Sequence, residues 1–174
     1  MDSLTQTKIF PKVFSLKDVR FYSFSLVFVG LAAFIPWMMH QFGFAGAKFL
    51  PMHFFVIAAG LLFGWRAGLV VGVFSPLMSF SISQMPLITI LPETILELSV
   101  YGLTVGILSE KKINIWLSLL SAMVLGRLAR LLFVLSFGLN TNPLNYFQTS
   151  WQGIILQMLL IPMIVLLVKK ILKK

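Results

Sequence analysis

The segment INIWLSLLSAMVLGRLARLLFVLSF, residues 113–137, decides the fold because it is long and apolar enough to cross a bilayer as one helix. About 20 predominantly apolar residues suffice to span the hydrocarbon core. Two arginines, Arg127 and Arg130, lie within one helical turn of each other inside this segment. Each would cost roughly 2.5–3.5 kcal/mol near the bilayer centre. We therefore expect both arginines to have a buried partner or a function.

The rest of the chain repeats this apolar pattern. Of its 174 residues, 59% are hydrophobic and only 11% are charged, which is too much apolar surface for a soluble domain of this size to bury. Five further segments are apolar enough to span a membrane, at about residues 21–42, 49–64, 67–83, 91–109 and 149–168. The sequence therefore predicts an all-α membrane protein with six transmembrane helices.

The basic residues predict the orientation of these helices. Eleven of the fourteen fall before the first segment, between the second and third, between the fourth and fifth, or after the sixth. Only Lys48 falls in a loop on the other side. Because lysine and arginine collect on the cytoplasmic side, this distribution predicts that both termini are cytoplasmic. We expect a cytoplasmic lead-in over residues 1–20, a membrane domain over 21–170 and a basic tail over 171–174.

Several function classes are excluded by what the sequence lacks. It has no cysteine, so disulfides and thiolate metal sites are ruled out. It contains neither a phosphate-binding loop nor an HExxH motif, so neither ATP hydrolysis nor zinc-protease chemistry is expected of this chain. The net charge of +9 arises from lysines flanking the apolar segments, and we expect no nucleic-acid partner. The sequence predicts no catalytic residue, cofactor or metal.

The fourth segment supplies acids at a depth that matches the arginines. Glu93 and Glu97 share one helix face, because residues four apart are neighbours on a helix. Glu97 and Arg130 each lie about seven residues from the outer end of their segments, roughly 10 Å deep at 1.5 Å per residue. A Glu97–Arg130 or Glu97–Arg127 pair is therefore possible. If Glu93 is hydrated, one guanidinium stays available to a ligand; if it pairs inward, the four charges form a closed network.

The pair allows two interpretations. One is an ion pair that joins two helices; the other is the polar floor of a ligand-binding cavity that opens to the outside. Other polar or aromatic residues lie at a similar height and complete the predicted ligand site, although each is also an ordinary interfacial residue: His53, Gln84, Tyr101, Asn140 and Trp151.

Small residues form a second pattern. Gly60, Gly64, Gly68 and Gly72 recur every four positions, and such faces allow close helix packing. They either pack within this chain or form a smooth surface for another subunit. In the first segment, Ser25, Gly30 and Ala33 form a similar smooth patch, which we predict as a docking surface.

Several motifs together resemble the substrate-binding S components of energy-coupling-factor (ECF) vitamin transporters. The resemblance covers about residues 25–135 and rests on LPMH (50–53), AGLLFGWRAGLVVGVFSPLMS (59–79), MP (85–86), ELSVYGLTVGIL (97–108) and GR (126–127). Glu97 and Arg127 occupy the matching EL..YG and GR positions. The AxxxA pattern that the family often has in its first helix is not found in this first segment.

The resemblance implies a six-helix protein of the prokaryotic plasma membrane that binds a vitamin or vitamin precursor from outside. It implies docking on one transmembrane scaffold subunit and two cytoplasmic ATPases. Two alternatives from other classes remain: a structural or assembly subunit with an architectural Glu–Arg pair, and a small intramembrane enzyme that uses Glu97 and His53. The arginines favour a carboxylate-bearing ligand such as pantothenate or folate, whereas the aromatic and methionine content suits a flat heterocycle equally well.

Overall fold

The computed structural model describes residues 13–14, 16–43, 49–138 and 143–172, and within them it contains helices and no strand. The helices are α1 (Val19–Gln41), α2 (Pro51–Phe63), α3 (Trp65–Ser83), α4 (Leu91–Glu110), α5 (Ile115–Phe137) and α6 (Pro143–Leu172). The prediction of an all-α fold with six helices is confirmed. Across the described residues, five helices are long and apolar enough to cross a membrane. The exception is α2, which has 13 residues.

Local sequence signals set several helix ends. Asp18 begins α1 by accepting a hydrogen bond from the Arg20 backbone N–H at 2.9 Å. Asn114 begins α5 in the same way, accepting from the Trp116 N–H at 2.8 Å. Such caps satisfy backbone donors that have no partner inside the helix. Proline opens both α2 and α4, where its missing N–H has no consequence.

Helix α4 lies at the centre of the bundle. It packs against α2, α3 and α5, while α1 packs against α2 and α3 and α6 contacts α2 and α5. Consecutive helices run in opposite directions. The start of α1 and the end of α6 therefore lie at the same end of the bundle as the α2–α3 and α4–α5 connections. We call this the basic end, because Lys17, Arg20, Arg66 and Lys111 lie there.

A glycine seam joins α2 and α3 to α4. A Cβ atom on Gly60 would approach the Gly102 carbonyl oxygen to 2.8 Å, and one on Gly72 would approach the Leu98 carbonyl oxygen to 2.6 Å. Gly68 and Gly102 face each other with their backbones in direct apposition. Of the two interpretations of the glycine repeat, packing within the chain is therefore the one that the structure supports.

The fourth glycine of the repeat has a different role, since Gly64 forms the turn between α2 and α3. Its φ of +86° is in a region that glycine adopts without steric cost. The Glu110 carboxylate lies against this turn and accepts a hydrogen bond from the Trp65 N–H at 3.1 Å. The predicted segments 49–64 and 67–83 leave Trp65 and Arg66 between them; in the structure the division is at Gly64, and Trp65 begins α3.

The end of the predicted lead-in packs onto the bundle. Phe14 is 5% exposed and stacks on Phe24 of α1, with ring centroids 5.6 Å apart. Phe63, the last residue of α2, completes this aromatic cluster at 4.8 Å from Phe24. Packing of these three phenylalanine rings, of which Phe24 is only partly buried, holds the start of α1 against the end of α2 at the basic end.

Candidate ligand-binding site

Arg130 of α5 holds both acids of α4. Its Nη1 lies 2.9 Å from Glu97 Oε2, and its Nη2 lies 2.6 Å from Glu93 Oε1. Tyr101 donates its hydroxyl proton to Glu97 Oε1 at 3.0 Å. Both carboxylates are completely buried. These four residues, with Arg127, form what we call the charge network.

Helical spacing accounts for this convergence. Glu93, Glu97 and Tyr101 follow one another at intervals of four, so they line one face of α4. The facing position on α5 is Gly126, where any side chain would overlap the Tyr101 ring. The absence of a side chain at residue 126 therefore lets Tyr101 fill the space between the two helices and reach Glu97.

The second arginine lies close to the same acid. Arg127 is 6% exposed, and its guanidinium attracts the Glu97 carboxylate electrostatically. The premise of a hydrated Glu93 is wrong, because Glu93 is buried and paired with Arg130. Both acids bind the same arginine, Arg130, and Arg127 interacts with Glu97 electrostatically.

His53 of α2 lies beside the network. Its Nε2 atom is 3.7 Å from Glu97 Oε1, which is beyond hydrogen-bonding distance. Its ring centroid is 5.3 Å from that of Tyr101, with the two planes at 60°. The imidazole is buried, and neither of its nitrogens has a hydrogen-bond partner among the described residues. Buried polar groups usually have such a partner, so His53 is a strong candidate for contact with a ligand.

A cavity of about 270 Å³ opens next to His53. It lies at the end of the bundle opposite the basic end, between the starts of α2 and α4 and the ends of α1 and α3. Apolar side chains dominate its wall. The polar or charged residues on the wall are His40, His53, Ser79, Thr94 and Arg130. A concave, mostly apolar cavity with a few converging polar groups is the usual form of a small-molecule site.

The structure brings some of the predicted site residues together and leaves others apart. His53 and Arg130 line the cavity, whereas Glu97, Tyr101 and Arg127 lie behind its wall in the charge network. Gln84 and Trp151 do not line it. Gln84 is exposed as the C-cap of α3, and Trp151 is 53% exposed on α6. Asn140 is outside the described residues.

Sequence analysis missed several residues of the cavity wall. Thr94 directly follows Glu93 and lies four residues after Ile90, which is also on the wall. The i, i+4 spacing of Ile90 and Thr94 was the available signal. Ser79 gives no comparable signal, because it is one of several serines near the end of α3.

Leu50 on the cavity wall is a further residue that the sequence did not single out. It precedes α2 with φ 50° and ψ 48°, a left-handed conformation that is a genuine outlier for a bulky residue. The buried Gln157 of α6 donates a hydrogen bond from Nε2 to the Leu50 carbonyl oxygen at 3.4 Å. Such outliers cluster at binding sites, and a buried glutamine within an apolar helix was the sequence signal for this one.

The predicted docking patch on α1 is only partly open. Ser25 and Ala33 are buried, at 6% and 2% exposed. Within the described structure, a Cβ atom on Gly30 would meet nothing within 4 Å. Ser25 also lines a groove between α1 and α3. The three residues therefore do not form one exposed face, because they point in different directions around α1.

Comparison with known proteins identifies the family. The sequence model of the family described as "ECF transporter, substrate-specific component" matches residues 24–173. No match was found among curated proteins or solved structures. The match extends over most of α1 and all of the other five helices, and it includes both the charge network and the residues that line the cavity. The chain therefore belongs to the family of ECF transporter substrate-specific components.

Proposed function

We propose that this chain captures a vitamin or vitamin precursor from outside the cell and delivers it across the plasma membrane together with a separate scaffold subunit and two ATPases. The observation that carries the proposal is the cavity beside His53 and Arg130. A purely architectural Glu–Arg pair would need no opening above it. The cavity therefore favours a binding subunit over the structural or assembly subunit.

Family membership provides the coarser part of this function. A substrate-specific component is a transport subunit and not an enzyme, and it works in a membrane with a small-molecule substrate and an ECF module. The proposal adds the class of substrate, the direction of capture and the residues involved. In it, His53 and Arg130 contact the substrate, Glu93 and Glu97 hold Arg130 in place, and Tyr101 and Arg127 stabilise Glu97. Ligand contacts by Gln84, Asn140 and Trp151 remain predictions.

The proposed orientation has six spans and both termini in the cytoplasm. Two features support it: the basic residues share one end of the bundle, and the cavity lies at the other. Since lysine and arginine favour the cytoplasmic side, the cavity then faces outward. Helix α2 would extend about 20 Å at 1.5 Å per residue, which is too short to cross a hydrocarbon core of roughly 30 Å. Neighbouring parts of the protein would therefore occupy the rest of the membrane thickness next to α2.

Ligand retention tests the proposal. The protein is purified in detergent, and its extract is analysed by mass spectrometry. We expect a stoichiometric small molecule in the wild type and its loss in Thr94→Phe, because the added ring fills the cavity. Thr104→Phe, on the same helix but away from the cavity, is the matched control and should retain the molecule. If the wild type holds no more small molecule than Thr94→Phe does, the binding function is wrong.

Cysteine labelling tests the orientation. The chain has no cysteine, so single cysteines can be introduced at the exposed positions Thr89, in the α3–α4 loop, and Lys111, at the basic end. An impermeant reagent applied to intact cells should label position 89 and not position 111. Both should react after solubilisation. The reverse pattern would show that the cavity faces the cytoplasm.

A further inference from the structure

The charge network has no net charge to offer a ligand. It contains two carboxylates, Glu93 and Glu97, and two guanidinium groups, Arg127 and Arg130. Of these four side chains, only Arg130 reaches the cavity wall. Among these four side chains, Arg130 is therefore the one that a charged ligand could contact.

Arg130 is already committed to the two acids. Each of its terminal nitrogens lies within 2.9 Å of a different carboxylate oxygen. An anionic ligand at this position would lie beside both carboxylates and would be repelled by them. A cationic ligand would find both carboxylates facing arginine. Burying an unpaired charge in an apolar cavity is strongly unfavourable, so the geometry disfavours ligands of either sign.

The remainder of the wall defines the size and shape of an occupant. At about 270 Å³, the cavity lies at the lower limit of roughly 300 Å³ for small-molecule pockets. Its apolar wall includes Met52, Met85 and Leu87. Thioether sulfurs make favourable contacts with aromatic rings. These features fit a compact molecule with one or two rings.

One buried polar group on the wall makes no short hydrogen bond. The His53 imidazole lines the cavity with its Nε2 atom 3.7 Å from the Glu97 carboxylate, and neither ring nitrogen is within hydrogen-bonding distance of a partner in the part of the chain that the structure describes. A neutral imidazole offers one donor and one acceptor. An occupant with a hydroxyl, an amide or a ring nitrogen would satisfy it, whereas a pure hydrocarbon would not.

We propose that the cavity selects an uncharged molecule of one or two rings that forms a hydrogen bond with His53, and that it excludes carboxylates, phosphates and fixed cations. This inference rests on the proposed function and narrows its substrate class. It replaces the sequence-based preference for a carboxylate-bearing ligand. Arg130, whose charge is balanced by the two acids, contacts the occupant without offering it an unpaired charge, and His53 supplies the specific hydrogen bond.

The first test is the charge of the bound molecule. The small-molecule extract of wild-type protein, purified in detergent at pH 7, is compared with the extract of Thr94→Phe by electrophoresis and by mass spectrometry in both ion modes. We expect the species specific to the wild type to be uncharged and to contain a ring. A wild-type-specific carboxylate, phosphate or fixed cation would overturn this inference and leave the proposed function intact. The absence of any such species would overturn both.

The second test concerns His53 and uses the dissociation constant of the same extracted molecule, added back to ligand-free protein, as its readout. His53→Leu should raise this dissociation constant on the order of tenfold, which corresponds to about one hydrogen bond. His53→Gln keeps a donor and an acceptor and should restore most of the loss. His40→Leu, at the exposed rim of the cavity, should have a smaller effect. Equal loss in the leucine and glutamine variants at unchanged thermal stability would show that His53 makes no hydrogen bond to the occupant.

Discussion

The two halves of α4 pack against their neighbours in different ways. In its C-terminal half, Gly102 and Gly106 bring the helix backbone against α2 and α3, so no side chain separates them. In its N-terminal half, Glu93 and Glu97 face Arg130, and a cavity opens beside them. The difference shows how one helix can provide both a rigid base and an adaptable site. Close backbone packing fixes the helices, and that fixed frame holds the buried charges in register.

The largest loss of stability is expected in the N-terminal half of α4, where the buried charges lie. Arg130→Met should destabilise the protein by about 3–5 kcal/mol, because it leaves two buried carboxylates without their partner. Unfolding in detergent, followed by helical circular dichroism, measures the loss. The exposed Arg20→Met is the matched control and should change stability by no more than about 0.5 kcal/mol.

A rescue variant tests the reason for that loss. Adding Glu93→Gln and Glu97→Gln to Arg130→Met removes the uncompensated charges and should recover a large part of the stability. If the triple variant is as unstable as the single one, the loss comes from packing around the methionine and not from the charges.

In the C-terminal half of α4, which forms the glycine seam with α2 and α3, one added methyl group is expected to lower stability. Gly68→Ala should destabilise by about 1–3 kcal/mol, because the new Cβ atom meets the Gly102 backbone and the helices must separate. Gly30→Ala adds the same atom on α1 where nothing lies within 4 Å. There the usual gain of about 0.5–1 kcal/mol for replacing a helical glycine is expected. Equal effects of the two substitutions would contradict the close apposition of Gly68 and Gly102.

A smaller loss of stability is expected at Tyr101, where the two halves of α4 meet. Tyr101→Phe removes the hydroxyl that donates to Glu97 and keeps the ring that packs against Gly126. We expect a loss of about 1.5 kcal/mol, the lower end for a hydrogen bond to a charged group. Tyr22→Phe, at an exposed tyrosine on α1, serves as the control. No difference between the two variants would mean that the hydroxyl does not stabilise the network.

The smallest change in stability is expected at Gly30, where an effect on docking can be measured separately from an effect on folding. Gly30→Phe should leave unfolding and ligand retention nearly unchanged, because this glycine contacts nothing within the described chain. If Gly30 packs against the scaffold subunit, uptake by the complete transporter should fall strongly. Leu120→Phe, on the exposed face of α5, should have no such effect. Normal uptake by Gly30→Phe would remove this residue from the docking surface.

Sequence patterns predicted the helices but not which surfaces they share. The glycine repeat of α2 and α3 was consistent with either an internal or an external contact, because spacing alone does not identify the partner of a smooth face. In the structure, the repeat packs against Gly102 and Gly106 of another helix, α4. In the same way, the pattern at Ser25, Gly30 and Ala33 did not show that two of the three residues are buried.

For the site, the sequence predicted the acids, the arginines and His53 from their depth in the segments, since depth follows from residue count. It did not predict the cavity wall, which is built from parts of five helices and the loop at residues 85–87. Gln84 and Trp151 had a suitable depth but do not line this cavity. Rotation about the helix axis, which depends on neighbouring helices, decides which residues at a given depth face inward.

The sequence by itself determined that this is a helical membrane protein of the ECF substrate-specific family, because apolar length and family motifs are local properties of the chain. It also limited the buried charges to two acids and two arginines in facing helices. Only the tertiary structure decided that Arg130 binds both acids and that His53 lines a mostly apolar cavity. Those outcomes depend on distances of a few ångströms between residues up to about 80 positions apart, and packing of the whole bundle sets such distances.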